Sequence, residues 1–200
     1  MAVTTKPVPA HPKSGYSQAW VALPAALLVG ILGLDWLQFS NAWGKVVIGI
    51  LDEPAHLATG ALVLLAVAGP AWLLRHRLFA CAALFFAMAI DADHIPYYAG
   101  VRFIVHGGRP FSHSLATVLL LLLIGLALPA GRFPRLRPIV LGAGVGVALH
   151  LLRDVGNGPG IPLFWPVTWL NVIVPYGFYG AAIVGIAVLA TLRMVRFLRR

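Results

Sequence analysis

Six stretches of the chain, at about 20–38, 55–74, 77–95, 113–130, 138–155 and 177–197, approach the roughly 20 apolar residues a helix needs to cross a bilayer. In hydrocarbon every backbone N–H and C=O must find its partner within the protein, so such stretches are helices or the strands of a closed barrel. Their length and continuous apolarity select helices. The expected fold is all-α, a polytopic membrane bundle of about six transmembrane helices. Composition leads the same way. Charged residues make up 10% of the chain and hydrophobic residues 60%, whereas a soluble domain carries about 25% charged residues. A water-facing surface cannot be built from so few charges, which excludes a soluble enzyme and a disordered chain.

The first apolar stretch ends at Ser40-Asn41-Ala42, which has the small-x-small look of a cleavage site. Its apolar run is longer than the roughly 7–15 residues of a signal-peptide core and more spans follow, so it reads as a retained helix. Residues 1–18 are polar and rich in Pro and Lys, and predict a mobile cytoplasmic tail. Residues 19–200 form a single membrane-embedded helical domain. Cys81 is the single cysteine and lies within an apolar run, so disulfides play no part in the fold.

The net charge of +9 invites a nucleic-acid partner, but the basic residues lie between apolar runs rather than in one patch. They read as topology signals, and no nucleic acid is expected. With the N-terminus inside, the inner segments hold Lys6, Lys13, Arg75, Arg77, Arg132, Arg135, Arg137, Arg193, Arg196, Arg199 and Arg200. The outer segments hold Lys45, Arg102, Arg109 and Arg153. This positive-inside bias places both termini in the cytoplasm. Trp36, Trp43, Trp165 and Trp169 then fall at the outer interface, where an indole suits the headgroup layer. Gly142 and Gly146 form a G-x-x-x-G in the fifth span, a signal for close helix packing within a bundle or between subunits.

The acidic residues are Asp35, Asp52, Glu53, Asp91, Asp93 and Asp154, and all fall at the outer ends of the spans. So do His56, His94, His106, His113 and His150; His11 and His76 fall inside. Ionisable groups near a bilayer are costly unless partnered, so their gathering at one end marks a candidate site. Glu53 and His56 share a helical face at the start of the second span. Asp91, Asp93 and His94 close the third, His106 and His113 flank the entry to the fourth, and His150 and Asp154 share a face at the end of the fifth. Imidazole and carboxylate without thiolate suit zinc, manganese or iron. The candidates are too many for one tetrahedral ion, and two or three ions is the natural count for phosphoester cleavage.

Several residues have plainer readings. Ser114 suits the N-cap of the fourth helix, Tyr97 and Tyr98 suit interface anchors, Asp35 suits a solvated or ion-paired helix end, and Asp52 suits an interfacial position as well as a functional one. Arg153, beside Asp154, suits its neutralisation. Arg102 and Arg109 stand in the loop that carries the histidines, where a guanidinium can grip a phosphate with two parallel hydrogen bonds.

His56 with Gly60, Asp91-Ala92-Asp93-His94, His106 leading to Ser112-His113-Ser114, and His150 with Asp154 together resemble the YdjM-like family of inner-membrane metal-dependent hydrolases, described also as LexA-binding. Pro162-Leu163-Phe164-Trp165-Pro166 is similar to that family's apolar stretch after the last ligand pair. The resemblance covers about 53–168. One departure is His106-Gly107-Gly108-Arg109, where the family more often has Arg directly after His. The family is distantly similar to zinc-dependent phospholipases C and single-strand nucleases, so the resemblance implies hydrolysis of a phosphoester. The site then faces the outer side of a bacterial-type inner membrane and takes a lipid or isoprenoid substrate from the bilayer.

On this reading His56, Asp91, Asp93, His113, His150 and Asp154 are metal ligands. His94 and His106 are further ligands or the acid for the leaving group. Glu53 is a ligand or the base that orients water, and Arg109 and Arg102 bind phosphate. Two other classes fit less of the pattern. A transporter would place charge near the bilayer midplane, yet the inner half of the spans has no Asp or Glu. A non-catalytic scaffold or regulator would use the basic cytoplasmic segments and leave the polar cluster structural.

Overall fold

The computed structural model describes residues 16–98, 105–106 and 109–199. The chain forms α1 (Tyr16–Phe39), α2 (Lys45–Val67), α3 (Pro70–Arg75) and α4 (Arg77–Ala89). A 3₁₀ turn (Ile90–Asp93), α5 (His94–Tyr98) and a two-stranded hairpin, β1 (Val105–His106) and β2 (Arg109–Pro110), follow. The chain closes with α6 (Leu115–Ala127), α7 (Leu136–Asp154) and α8 (Tyr176–Leu198). The expected tail falls mostly outside the described residues, and so does Arg102.

Five segments are long and apolar enough to cross a membrane: Ala19–Phe39, Val46–Val67, Arg77–Pro96, Leu136–Asp154 and Tyr176–Leu198. The stretch expected at 113–130 gives only the 13-residue α6. At 1.5 Å per residue that is about 20 Å, short of the roughly 30 Å hydrocarbon core. Its first residues, His113 and Ser114, are drawn instead into the polar site. Leu119, Leu120, Leu123 and Leu126 stand exposed on its outside, as on a surface wetted by lipid.

The second span also differs from the expected 55–74. Helix α2 starts ten residues earlier and stops at Val67, because Gly69 takes a left-handed φ of 77° and Pro70 starts a new helix. His56 therefore lies three turns inside α2 rather than at its start. Helix α4 ends in the 3₁₀ turn just before Pro96, whose missing N–H leaves the Ala92 carbonyl without its helical donor.

The bundle has two triplets joined by α2. Helices α1, α2 and α8 enclose Ile31, Leu62, Tyr179, Ile183 and Met194. On the other side α7 runs between α4 and α6. A Cβ at Gly142 would lie 2.4 Å from the Phe79 carbonyl oxygen, and one at Gly146 would lie 2.4 Å from that of Ala83. On the opposite face of α7, a Cβ at Gly144 would lie 2.9 Å from Leu122. The G-x-x-x-G thus packs α7 on α4 within one chain, where backbone approaches that only glycine permits. Gly60 plays a milder version of the same part, facing Ala87 and Leu149 and drawing α2 onto α4 and α7. This tight seam brings His56 of α2, the end of α4 and the end of α7 to one place.

Candidate metal centre

Four elements supply the cluster, each for a local reason. In α2, Asp52 and His56 are four apart and so share a face. In the 3₁₀ turn, residues three apart eclipse, which aligns Asp91 with His94. Ser114 has the extended backbone of an N-cap residue and hands His113 inward just before α6 begins. Its hydroxyl makes no capping bond to the helix backbone and lies 3.5 Å from Thr117 Oγ1. His150 and Asp154 are four apart on the last turn of α7. Asp154 stands at the negative end of that helix dipole, the least favourable end for a carboxylate, and needs cations around it.

Three groups of side chains offer ligand atoms within 4.8 Å of one another: Asp91, Asp93, His94 and His113; His56, His150 and Asp154; and Asp52, His56 and Asp91. Asp91 and His56 each belong to two groups, so the three form one continuous centre. Asp91 Oδ1 lies 3.0 Å from His113 Nε2, 3.4 Å from His94 Nδ1 and 3.4 Å from His150 Nε2. Asp93 lies 3.0 Å from His94 Nδ1 and 3.4 Å from His113 Nδ1, and accepts a hydrogen bond from Ser112 Oγ. His56 Nε2 is 3.5 Å from both Asp52 and Asp154. The rings of His56 and His150 stack with centroids 3.8 Å apart and 6° between planes.

The donor set fits a metal on three counts. Ligands at 2.0–2.2 Å on a tetrahedral ion stand about 3.3–3.6 Å from one another, and the imidazole–carboxylate separations here run from 3.0 to 3.6 Å. His150 Nδ1–H donates to the Ala87 carbonyl at 2.9 Å. A carbonyl only accepts, so this bond puts a proton on Nδ1 and turns Nε2 toward Asp91 and Asp154, where it takes either a second proton or a metal. His56 is fully buried, and neither ring nitrogen has a hydrogen-bond partner. An unsatisfied buried polar group costs about 1–3 kcal/mol, a penalty that an ion on that imidazole removes. His113 is fully buried as well. Burial alone pushes its imidazolium pKa down, but hydrogen bonds to Asp91 and Asp93 and the charge of Asp154 outweigh that and raise it.

Arg109 spans Asp154 with two contacts, Nη2 to Oδ1 and Nη1 to Oδ2, both 3.2 Å. Its Nε is buried and has no partner. Gly158 lies against the guanidinium: a Cβ there would stand 3.2 Å from Nη2, and its φ of 141° suits glycine. Gly158 therefore lies over this part of the site and belongs to the segment 156–175. That segment is pinned by Leu115 N–H to the Leu163 carbonyl, by the Ile161–Val172 bridge and by Trp165 against Phe111. Glu53 is half-buried beside Asp91, with Oε2 lacking a partner.

Arg153 corrects an expectation. It does not neutralise Asp154, because adjacent residues on a helix point about 100° apart. Instead it is fully buried among α1, α2 and α8, with Nη2 2.7 Å from Asp35 and 2.7 Å from Asp52 and Nη1 3.2 Å from the Tyr179 hydroxyl. Tyr176 donates to Asp35 at 2.8 Å and Asn157 at 3.2 Å. Asp35 is thus ion-paired, one of its two expected readings, and buried rather than solvated, while Asp52 is a buried partner of the same guanidinium rather than an interfacial residue. Asp52 joins this network to the centre through His56.

Of the expected ligands, His56, Asp91, Asp93, His94, His113, His150 and Asp154 come together, with Glu53 and Arg109 beside them. The side chain of His106 and the whole of Arg102 lie outside the described residues; the His106 backbone pairs with Arg109 across the hairpin. The side chains of Tyr97 and Tyr98 are outside them too. His76 stacks on Trp72 far from the site, as expected of a residue without a role in it. Sequence reasoning named Ser112 within a motif but gave it no role, and it missed Gly158, Asn157, Tyr176 and Tyr179. One signal was available for the tyrosines: a buried arginine on an apolar helix demands several acceptors, and Tyr176 and Tyr179 begin the neighbouring helix.

A bundle with five helices long and apolar enough to cross a membrane, a shorter apolar helix beside them and a polar His/Asp centre at one end defines a multi-pass membrane protein. The chain belongs to a family described as YdjM inner membrane protein, whose model matches residues 51–200. It is accordingly a multi-pass protein of the inner membrane. No curated protein and no solved structure matches the chain.

Proposed function

We propose that the protein is a membrane-embedded metal-dependent hydrolase that cleaves a phosphoester of a lipid or isoprenoid substrate at the outer membrane interface. The observation that carries this reading is His56: a fully buried imidazole with no hydrogen-bond partner, set between two carboxylates and stacked on a histidine whose Nδ1–H bond turns Nε2 toward Asp91 and Asp154. Charge supports it as well. All six acidic residues of the chain lie in the centre or in the adjoining network, and Arg109 and Arg153 offset two of them. Four formal negative charges remain, which two divalent ions balance, zinc being the best match to the donor set.

His56, Asp91, Asp93, His94, His113, His150 and Asp154 would hold the ions, with Asp52 orienting His56. Bound zinc ions supply Lewis acidity and activate water near neutral pH. The chain's own groups do the rest. Glu53, with a free carboxylate oxygen, takes the proton of the attacking water. Arg109 presents its unpartnered Nε–H to a phosphate oxygen. Gly158, lying over the guanidinium, limits water there, which strengthens that contact.

Metal content of the purified protein, measured by elemental analysis beside a His113→Ala, Asp154→Ala variant and a His56→Gln variant, tests the reading. Two or more zinc equivalents, reduced in both variants, together with phosphate release from lipid phosphoesters in mixed micelles, are expected. No stoichiometric metal after zinc is supplied would overturn it. The inward orientation of both termini, which needs the 13-residue α6 to complete a sixth crossing from the centre to the opposite end, is part of the proposal, and labelling of single cysteines from either side of the membrane tests it.

A further inference from the structure

We infer that the end of the bundle opposite the His/Asp centre holds a binding groove for the phosphate headgroup of an anionic phospholipid, gripped by Arg193 and Arg196. A cavity of about 710 Å³ opens there, lined by Ala68, Gly69, Pro70, Ala71, Arg193, Arg196 and Phe197. That volume is in the range of ligand clefts, about 300–1,000 Å³. Arg193 and Arg196 are three apart on α8 and so present two guanidinium groups to one face.

Three observations point to an anion with an apolar tail. First, all six acidic side chains stand at the other end of the molecule, so no acidic side chain is there to meet these arginines. Second, the wall opposite them is apolar, made of the α2–α3 corner. Third, that corner is shaped to hold an arginine. Gly69 has a φ of 77°, and a Cβ there would lie 3.6 Å from Arg193 Cδ and 3.7 Å from its Nη1. The side chain is thus laid along the corner with its head at the groove. Guanidinium groups bind phosphate through paired, charge-assisted hydrogen bonds. The apolar wall runs on into the lipid-facing sides of α2 and α8, where Val67, Leu189 and Leu192 are exposed. A headgroup held by the arginines can therefore keep its acyl chain in the bilayer.

Free phosphate shares the headgroup chemistry but not the tail, and the experiment separates the two. The full-length protein is placed in nanodiscs of phosphatidylcholine alone or with phosphatidylglycerol, and retained lipid is counted by native mass spectrometry. Thermal midpoints are followed in parallel, with inorganic phosphate as a separate arm. Arg193→Gln, Arg196→Gln is compared with Arg132→Gln, Arg135→Gln, which removes equal charge from the same end. Phosphatidylglycerol should be retained and raise the midpoint of the native chain and the control. The groove variant should bind it about tenfold more weakly. Equal weakening in both variants, or no retained lipid in the native chain, overturns the proposal. A midpoint raised as far by inorganic phosphate as by phosphatidylglycerol overturns the lipid assignment.

Discussion

Arg153 and Asp154 are neighbours in the chain, yet they belong to two different polar systems. The Arg153 guanidinium reaches Asp35 and Asp52, each at 2.7 Å, between α1, α2 and α8. The Asp154 carboxylate faces His150, His56 and Arg109 between α2, α7 and the hairpin. One residue fastens the helices and the next faces the centre. Asp52, bonded to Arg153 and near His56, is where the two meet.

Removing Arg153 should therefore destabilise the bundle far more than removing a surface charge. Breaking a buried ion pair by deleting one partner costs about 3–5 kcal/mol, because the remaining charge is left buried. Arg153→Ala strands both Asp35 and Asp52, whereas Asp35→Asn removes one charge, keeps one acceptor oxygen for the guanidinium and leaves Asp52 paired with it. Thermal unfolding in detergent should rank Arg153→Ala well below Asp35→Asn. Equal midpoints would show that the network contributes nothing to stability.

The α4–α7 seam gives a second prediction. A side chain at Gly146 would meet the Ala83 carbonyl at 2.4 Å and Phe86 Cβ at 2.9 Å. Backbone cannot yield as a flexible side chain can, so Gly146→Val should force α7 away from α4. Overpacking typically costs about 1–3 kcal/mol, and here it also displaces His150 and Asp154 from Asp91. Both the unfolding midpoint and the metal content should fall. Gly185→Val is the control, since nothing lies within 4 Å of a Cβ there.

Much of this arrangement was legible in the sequence because spacing and hydropathy are local signals. Glu53-x-x-His56, Asp91-x-x-His94 and His150-x-x-x-Asp154 each fix a shared face, and apolar runs fix the helices. What escaped depends on relations between helices. No local pattern tells that Arg153 turns toward α1, so neither the partner of Asp35 nor the burial of Asp52 could be read. The length of α6 escaped for a related reason. The expected stretch took in His113 and Ser114, which are polar and belong to the centre, and at its other end the helix stops at Ala127, just before Pro129.

His113 sets a pH dependence. Its pKa in the folded, metal-free protein is raised, after burial has been outweighed by Asp91, Asp93 and Asp154. A raised histidine pKa gives stability that is fully present below the unfolded value, about 6.5, and is lost as pH rises through the folded value. A metal needs the unprotonated ring and reverses the trend. The rise in midpoint caused by zinc should thus grow from pH 6 to pH 8. His113→Gln should remove most of that growth, and a zinc effect unchanged by pH would show that His113 is not a ligand.

Gly158 offers the sharpest test of the cover over Arg109. Its φ of 141° is costly for any residue with a Cβ, and that atom would stand 3.2 Å from Nη2. Gly158→Ala should shift either the cover or the guanidinium by a few tenths of an ångström. The ligands of the centre are untouched, so zinc content should stay at the native level. Phosphoester hydrolysis should fall roughly tenfold, since loss of about 1.4 kcal/mol at one charge-assisted contact is tenfold in rate. The loss should lie in kcat/KM rather than in metal affinity. Loss of metal in this variant would instead mean that Arg109 and its cover hold the centre together, and that phosphate binding is not their part.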